Sequence, residues 1–236
     1  MKRKLLIVMI IICVFSVGCG SKDKVAETKS VKPKETTSEL EEENKDIQLI
    51  PKTYLFNENN LDYKITYPQL EENRYEINEK ITEFAMKTVT ELGYETVLYN
   101  EEYEFYEERT IEENYKIVLQ SKDILSVVIT GYYNIKGTAH PSYTARTLNI
   151  DLNTGKEINI SERYNINEEF VDKMLQSAKE QVDIDIYEYI KEMSNENILE
   201  YCKTTDTMFL MENGVGIYYE TIYALGGFVE IEIELS

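Results

Sequence analysis

Apolar and polar residues alternate along several separate stretches of the chain, as expected for β-strands that bury one face. The alternation is clearest near the end, where Val229, Ile231, Ile233 and Leu235 are interleaved with glutamates. The pattern predicts strands at Leu61–Tyr67, Tyr115–Leu119, Ile124–Ile135, Tyr143–Leu152, Met208–Met211, Val215–Glu220 and Phe228–Leu235. Asn153-Thr154-Gly155 and Glu212-Asn213-Gly214 predict hairpin turns, with Gly155 in a left-handed conformation.

Two segments have the 3.6-residue period of amphipathic helices. The first runs from about Tyr75 to Leu92, with the apolar face Ile77, Ile81, Phe84, Ala85, Val89 and Leu92. Asn73 with Glu76 resembles a capping box, and Gly93 is placed to end the helix. The second begins near Asn165 or Asn167, with the apolar stripe Phe170, Val171, Met174, Leu175, Ala178 and Val182, and further helix is expected through Ile186, Tyr189, Ile190 and Met193. Helices separated by runs of strands predict an α+β fold, with antiparallel sheets and two main helices packed against them.

The N-terminus has the pattern of an export signal. Lys2, Arg3 and Lys4 precede an apolar run of 13 residues, which as a helix is about 20 Å long and therefore short for a bilayer. Ser16-Val17-Gly18-Cys19 resembles a bacterial lipobox, although Ser16 replaces the usual branched apolar residue. We therefore expect residues 1–18 to be a lipoprotein signal peptide and Cys19 to carry lipid such as palmitate. An ordinary secretory signal is the alternative.

Residues 19–52 are polar and lack apolar periodicity, so we expect a flexible tether between the lipid and a domain at 53–236. Composition adds a strong charge to that domain. The chain has 44 acidic and 25 basic residues and a net charge of −19, while residues 53–236 alone hold 36 acidic and 15 basic residues, a net charge of −21. This acidity argues against nucleic-acid binding, which depends on clustered Lys and Arg.

The segment from Leu125 to Ile160 resembles a known family. Tyr132-Tyr133, Gly137-Thr138-Ala139-His140-Pro141, Asn149-Ile150-Asp151-Leu152 and Thr154-Gly155-Lys156 follow one another in the order of its motifs. The family comprises bacterial extracytoplasmic domains of unknown function, among them the lysozyme-sensing outer domain of the anti-sigma-V factor and the non-catalytic N-terminal part of a peptidoglycan deacetylase. Thr138 replaces a Gly of the family motif, and Ile222 stands before Tyr223 where the family usually has Pro.

The resemblance implies partner binding rather than catalysis. Only four residues precede the apolar run, so we expect an outer domain without the cytoplasmic part of an anti-sigma factor. A single His cannot supply the metal ligands of a deacetylase. The resemblance points to the loops at Gly137–Pro141 and Tyr219–Gly227 as contacts; the candidate partner-binding residues are Gly137, Ala139, His140, Pro141, Tyr219, Tyr223, Tyr103 and Glu104.

The last two of these candidates come from the acidic, aromatic segment Tyr99–Tyr115. Its glutamates are Glu101, Glu102, Glu104, Glu107, Glu108, Glu112 and Glu113, opposed only by Arg109. One interpretation is a half-buried edge strand whose charges prevent aggregation. The other is a docking surface, where aromatic rings provide contact area and carboxylates attract a cationic protein.

Other chemistry is weakly indicated. His140 is expected to hold its turn through ring hydrogen bonds, and Cys202 to be a small buried residue. Asp151, Asn153 and Glu162 match three positions of a calcium loop, but Gly155 and Lys156 break its middle, so a plain turn is expected. Asp183 and Asp185 lack a third ligand. We predict no catalytic residue, metal or cofactor.

The sequence thus predicts a non-enzymatic, lipid-anchored surface protein that binds a cationic protein, with lysozyme the candidate that the resemblance names. The alternative is a cell-wall glycan-binding module whose exposed tyrosines stack on the sugars of peptidoglycan.

Overall fold

A computed structural model describes residues 47–71, 74–93, 99–100, 105–106 and 108–235. The predicted signal peptide, Cys19, most of the tether, Asn73, Tyr103 and Glu104 lie outside these residues and stay predictions. The strands are β1 (Leu49–Glu58), β2 (Leu61–Leu70), β3 (Tyr99–Asn100), β4 (Phe105–Tyr106), β5 (Arg109–Gln120), β6 (Ile124–Ile135), β7 (Ser142–Asp151), β8 (Met208–Met211), β9 (Gly214–Glu220) and β10 (Phe228–Glu234). The helices are α1 (Tyr75–Ala85), α2 (Lys87–Glu91), α3 (Ile160–Arg163), α4 (Glu168–Gln181), α5 (Ile184–Lys191) and α6 (Asn195–Thr204).

The predicted α+β class is confirmed. Five strands form one sheet in the order β1-β2-β5-β6-β7, and three form another in the order β10-β9-β8. The sheets are antiparallel as predicted except at one place, where β2 and β5 pair in parallel. The chain between them passes through α1 and α2, and such a crossover brings a strand back in the same direction.

Strand β1 begins at Leu49, inside the segment predicted as tether up to residue 52. It forms a hairpin with β2 in which Leu49 lies opposite Leu70 and Glu58 opposite Leu61. The turn residues Asn59 and Asn60 both have positive φ, of 53° and 66°, which is the conformation that two-residue hairpins require and Asn tolerates.

The first core lies between the five-stranded sheet and helices α1 and α2. The predicted face of helix 1 supplies Ile77, Ile81, Ala85 and Val89, which pack on residues of β2, β5, β6 and β7. The predicted single helix is instead two, divided at Met86. Arg146 of β7 donates hydrogen bonds to the carbonyls of Phe84 and Ala85, at the end of α1, and the helix is interrupted there.

Arg74 provides no side-chain cap at the start of α1. The predicted capping box involves Asn73, which lies outside the described residues. Helix α1 is held by tertiary contacts. The side-chain amide of Asn78 accepts a hydrogen bond from the Leu70 N–H and donates one to the Leu70 carbonyl, which ties the helix to the end of β2. Gly93 follows α2 with φ +86°, as expected of a residue that ends a helix.

The second core lies between the three-stranded sheet and α4, α5 and α6. Helix α4 begins after Asn167, as predicted, and the Asn167 side chain caps it by accepting a hydrogen bond from the Phe170 N–H. The predicted stripe of this helix is buried at Phe170, Val171, Met174 and Ala178. Helix α5 was also predicted, whereas α3 and α6 were not. No helix in the described ranges has both the length and the apolar character needed to cross a bilayer.

Candidate functional site

The turn after β6 contains the predicted loop Gly137–Pro141. Gly137 has φ +98°, which suits glycine, and the hydroxyl of Thr138 donates to the carbonyls of Ile135, at 2.8 Å, and His140, at 3.2 Å. Thr138 thus stabilises the turn, which is the role that the sequence predicts for His140. The ring of His140 makes one such bond, from Nδ1 to the Pro141 carbonyl at 3.0 Å, so Nδ1 carries the proton.

The second predicted loop follows β9. It contains one turn of 3₁₀ helix at Tyr223–Leu225 and then two glycines with positive φ, Gly226 at +100° and Gly227 at +79°. The base of the loop is closed by a hydrogen bond from the Thr221 N–H to the Gly227 carbonyl, at 2.7 Å. The loop displays Ile222 and Tyr223, which are 50% and 45% exposed.

The two loops meet in a group of aromatic rings that we term the aromatic stack: His140, Tyr143 and Tyr223. The ring centroids of His140 and Tyr223 are 3.9 Å apart with planes 13° from parallel, and those of Tyr143 and Tyr223 are 5.5 Å apart at 18°. A Cβ on Gly227 would lie only 2.4 Å from Cδ2 of Tyr143, so the glycine allows the loop to pack against that ring. Two loops that are distant in the sequence therefore share one exposed aromatic surface.

The assignment of Tyr219 to this surface is wrong. Its side chain is only 2% exposed, its ring packs on Tyr201 with centroids 4.8 Å apart, and its hydroxyl donates to the sulfur of Met193 at 3.0 Å. Burial raises the pKa of this hydroxyl. The alternation of Val215, Ile217 and Tyr219 along β9 already indicated a core position. Tyr143, which is 42% exposed and was not predicted, is the tyrosine that joins the stack.

The acidic segment Tyr99–Tyr115 does not form one edge strand. Within its described residues, β3 pairs with β4, and β5 begins at Arg109 and lies between β2 and β6. The edge-strand interpretation is therefore wrong for the part in β5. Glu113, predicted as one of the surface charges, is completely buried and forms a bidentate pair with Arg146, at 2.8 and 2.7 Å. Its neighbour Glu112 points to the opposite face of the sheet.

The remaining candidates for chemistry have structural roles. Cys202 borders an open cleft of about 420 Å³, but the residue is buried, and burial raises the pKa of its thiol to about 12. The carboxylate of Asp151 accepts hydrogen bonds from the N–H groups of Asn153 and Thr154, mainly Thr154, which lowers its pKa. With Gly155 at φ +65°, this is the predicted turn. Among the described residues, no three His, Cys, Asp or Glu side chains are grouped as a metal site requires.

Comparison with known proteins identifies the fold. No protein-family model and no curated protein matches the sequence. A solved structure of a DUF3298-family member from Bacteroides fragilis matches with a TM-score of 0.50 and 18% identity, over 80% of this chain and 91% of that chain. A DUF3298-family protein from Pseudomonas aeruginosa matches with a TM-score of 0.48 and 12% identity, over 80% of this chain and 90% of that one. The chain therefore shares its fold with the DUF3298-family protein of Bacteroides fragilis. The name of that family denotes a domain of unknown function.

Proposed function

We propose that this chain is a non-enzymatic, lipid-anchored, extracytoplasmic protein that binds a strongly basic protein through the aromatic stack. The observation that carries the proposal is the convergence of two exposed loops on His140, Tyr143 and Tyr223. Stacked rings have little side-chain entropy left to lose on binding, and aromatic residues dominate the energetics of protein interfaces.

Charge supports the class of partner. The domain at 53–236 has a net charge of −21, so a basic protein is attracted over long distances and associates faster than a neutral one. The resemblance to the lysozyme-sensing outer domain makes lysozyme the candidate partner. Lipid anchorage at Cys19 would hold the protein where lysozyme acts on the cell wall.

The geometry of the rings favours a protein over a glycan. Sugars stack on aromatic faces that are turned outward, whereas here Tyr223 lies against His140 and Tyr143 face to face. The loop at Gly227 also packs against Tyr143. Tyr223 is therefore partly covered by its neighbours, and the exposed apolar side chain of Ile222 beside it adds a contact that suits a protein surface.

Calorimetric titration of the full-length protein, purified in a non-ionic detergent, with lysozyme tests the proposal at low and moderate salt. We expect binding that weakens as salt rises, because exposed charges are screened. Tyr223→Ala should weaken binding by about 2 kcal/mol, roughly thirtyfold, as expected of an interface hot spot. Tyr75→Ala is the matched control, since Tyr75 is 77% exposed on α1 and is not part of the stack.

Two results would contradict the proposal in different ways. No heat of binding at either salt concentration would exclude lysozyme as the partner. Salt-independent retention on purified peptidoglycan, lost in Tyr223→Ala, would instead support the glycan-binding alternative.

A further inference from the structure

A row of four side chains crosses the five-stranded sheet and ends at the aromatic stack. The strand pairing places Lys64 of β2 opposite Glu112 of β5, Glu112 opposite Tyr132 of β6, and Tyr132 opposite Tyr143 of β7. Residues directly opposite one another project to the same face of a sheet. The row lies on the face away from the first core, and the stack is thus one end of a longer surface.

Two rows further along the same face, side chains contact the second sheet and the segment that leads into it. Lys116 of β5 contacts Glu230 of β10 at 2.7 Å, and Thr147 of β7 donates hydrogen bonds to carbonyls of Asp206 and Met208. The row of Lys64, Glu112, Tyr132 and Tyr143 therefore lies two rows from these contacts, where a partner held by the stack would meet it next.

Two glutamates on this side of the sheet have the same types of partner but different geometry. Glu230 binds Lys116 through one oxygen and the hydroxyl of Tyr218 through the other, each at 2.7 Å, and its side chain is 28% exposed. Glu112 binds Lys64 and the hydroxyl of Tyr132 in the same way, but both distances are 3.3 Å and its side chain is 42% exposed. Charge-assisted hydrogen bonds of full strength are shorter than 3 Å. Both oxygens of Glu230 thus accept short hydrogen bonds, whereas both oxygens of Glu112 have only long contacts and can accept from a stronger donor.

A second carboxylate adds to the negative charge around Glu112. The pKa of the Tyr132 hydroxyl is raised by burial and then by the negative charges of Glu112 and Asp62. The charge of Asp62 therefore acts on the same hydroxyl, and the Asp62 side chain is exposed. Lys64 is the cation paired with Glu112, and because it is more than half exposed and its contact is long, releasing it costs little.

We propose that Glu112 receives an arginine side chain of the basic partner, which displaces Lys64 and lies beside Tyr132 and Tyr143. This inference rests on the proposed function and deepens it. The planar guanidinium presents two N–H groups that match both carboxylate oxygens, and it packs well against aromatic rings. An ammonium group has no planar pair of donors and forms cation–π contacts less often, so arginine is preferred over lysine.

Lysozyme binding by variants of the full-length protein tests the site. Glu112→Gln should weaken binding about tenfold or more, as expected when a hydrogen-bonded charge pair is lost. Glu200→Gln is the matched control, since Glu200 is exposed on α6, has no ion pair in the described residues and carries the same charge; it should change affinity less than about twofold. Lys64→Gln should tighten binding, and Lys203→Gln on α6 is its control.

A second experiment uses short peptides to test the same site without lysozyme. Titration with a tetra-arginine amide, followed by NMR, should shift the amide signals of Glu112 and Tyr132, and Glu112→Gln should abolish those shifts. A tetra-lysine amide should shift them less. Absence of these shifts in the unmodified protein overturns the inference, whatever lysozyme does.

The two proposals fail separately. If Tyr223→Ala weakens lysozyme binding while Glu112→Gln behaves like Glu200→Gln, the function at the stack stands and the arginine site falls. If lysozyme does not bind but the arginine peptide shifts Glu112, the arginine site stands and lysozyme is not the partner.

Discussion

The two cores of this domain differ in whether they contain buried charges. The first core, between the five-stranded sheet and α1, contains a buried ion pair, in which Arg146 binds Glu113 and the hydroxyls of Thr88 and Thr144 also donate to Glu113. The second core, under α4, α5 and α6, has no buried ion pair among the described residues, and the buried polar side chains at the ends of its strands, Thr207 and Thr221, are uncharged. A buried charge pair fixes which elements meet, whereas an apolar core depends on volume and shape.

The largest effect is expected from breaking the ion pair. Arg146→Met leaves Glu113 buried without its cation and also frees the carbonyls of Phe84 and Ala85. We expect a loss of about 3–5 kcal/mol in the free energy of unfolding, measured by urea titration. Glu113→Gln should cost a similar amount, because it leaves Arg146 as a buried cation without its anion and places an amide N–H group against the donors of Arg146.

The double variant Arg146→Met with Glu113→Leu sharpens the comparison. If the pair serves mainly to specify the fold, the double variant should recover most of the lost stability, since two apolar side chains replace two buried charges. A double variant no more stable than Arg146→Met would mean that the first core cannot be rebuilt as an apolar core like the second.

The second core should respond to lost volume instead. Met174→Ala removes a fully buried side chain that packs on Cys202, with the two sulfur atoms 3.7 Å apart. We expect a cost of about 3 kcal/mol from lost burial and the resulting cavity. Met174→Leu is the control and should cost less than about 1.5 kcal/mol, because it nearly conserves volume. Equal losses in the two variants would show that the thioether itself is required.

The sequence predicts the local elements well because their determinants are local. The bounds of β6 follow from its β-rich composition, and the start of α4 follows from the cap at Asn167. The parallel pairing of β2 with β5 could not be predicted in this way, because alternation is the same in either direction. For β1, exposed and interrupted by Pro51, the pattern was too weak to distinguish a strand from the tether.

The candidate site was predictable in part. The resemblance pointed to both loops, but only the folded chain shows that His140 and Tyr223 stack, since their contact joins residues far apart in sequence. Glu113 could have been placed correctly: it alternates with Ile111, and Arg146 shares a face of its strand with Leu148 and Ile150. Together, these two signals indicate a buried pair.

Alkaline pH offers a smaller perturbation that is specific to the second core. The folded pKa of Cys202 is about 12, above its ordinary value of 9.0, because burial disfavours the thiolate. The neutral thiol therefore contributes stability that is complete below pH 9 and is lost as pH rises towards 12. At pH 10 the free energy of unfolding should be about 1.4 kcal/mol lower than at pH 7 because of this thiol. The Cys202→Ala variant lacks the thiol, so the difference in the free energy of unfolding between the protein and this variant measures the effect. If the difference in the free energy of unfolding between the two proteins did not change with pH, the burial of this thiol would be contradicted.

The smallest effect is expected at a helix end. Helices α4 and α6 are capped by side chains of Asn167 and Ser194, whereas α5 and α1 have no side-chain cap, and α1 is tied to β2 by the hydrogen bond between Asn78 and Leu70. Asn167→Ala should cost about 1 kcal/mol in urea unfolding, and Asn167→Asp, which also caps, should cost almost nothing. Because the bond from the Phe170 N–H is local, hydrogen exchange should rise in the first turn of α4 and leave α1 unchanged. If α1 amides were also to exchange faster, the two cores would unfold as one unit, and the contrast between them would be one of composition rather than of stability.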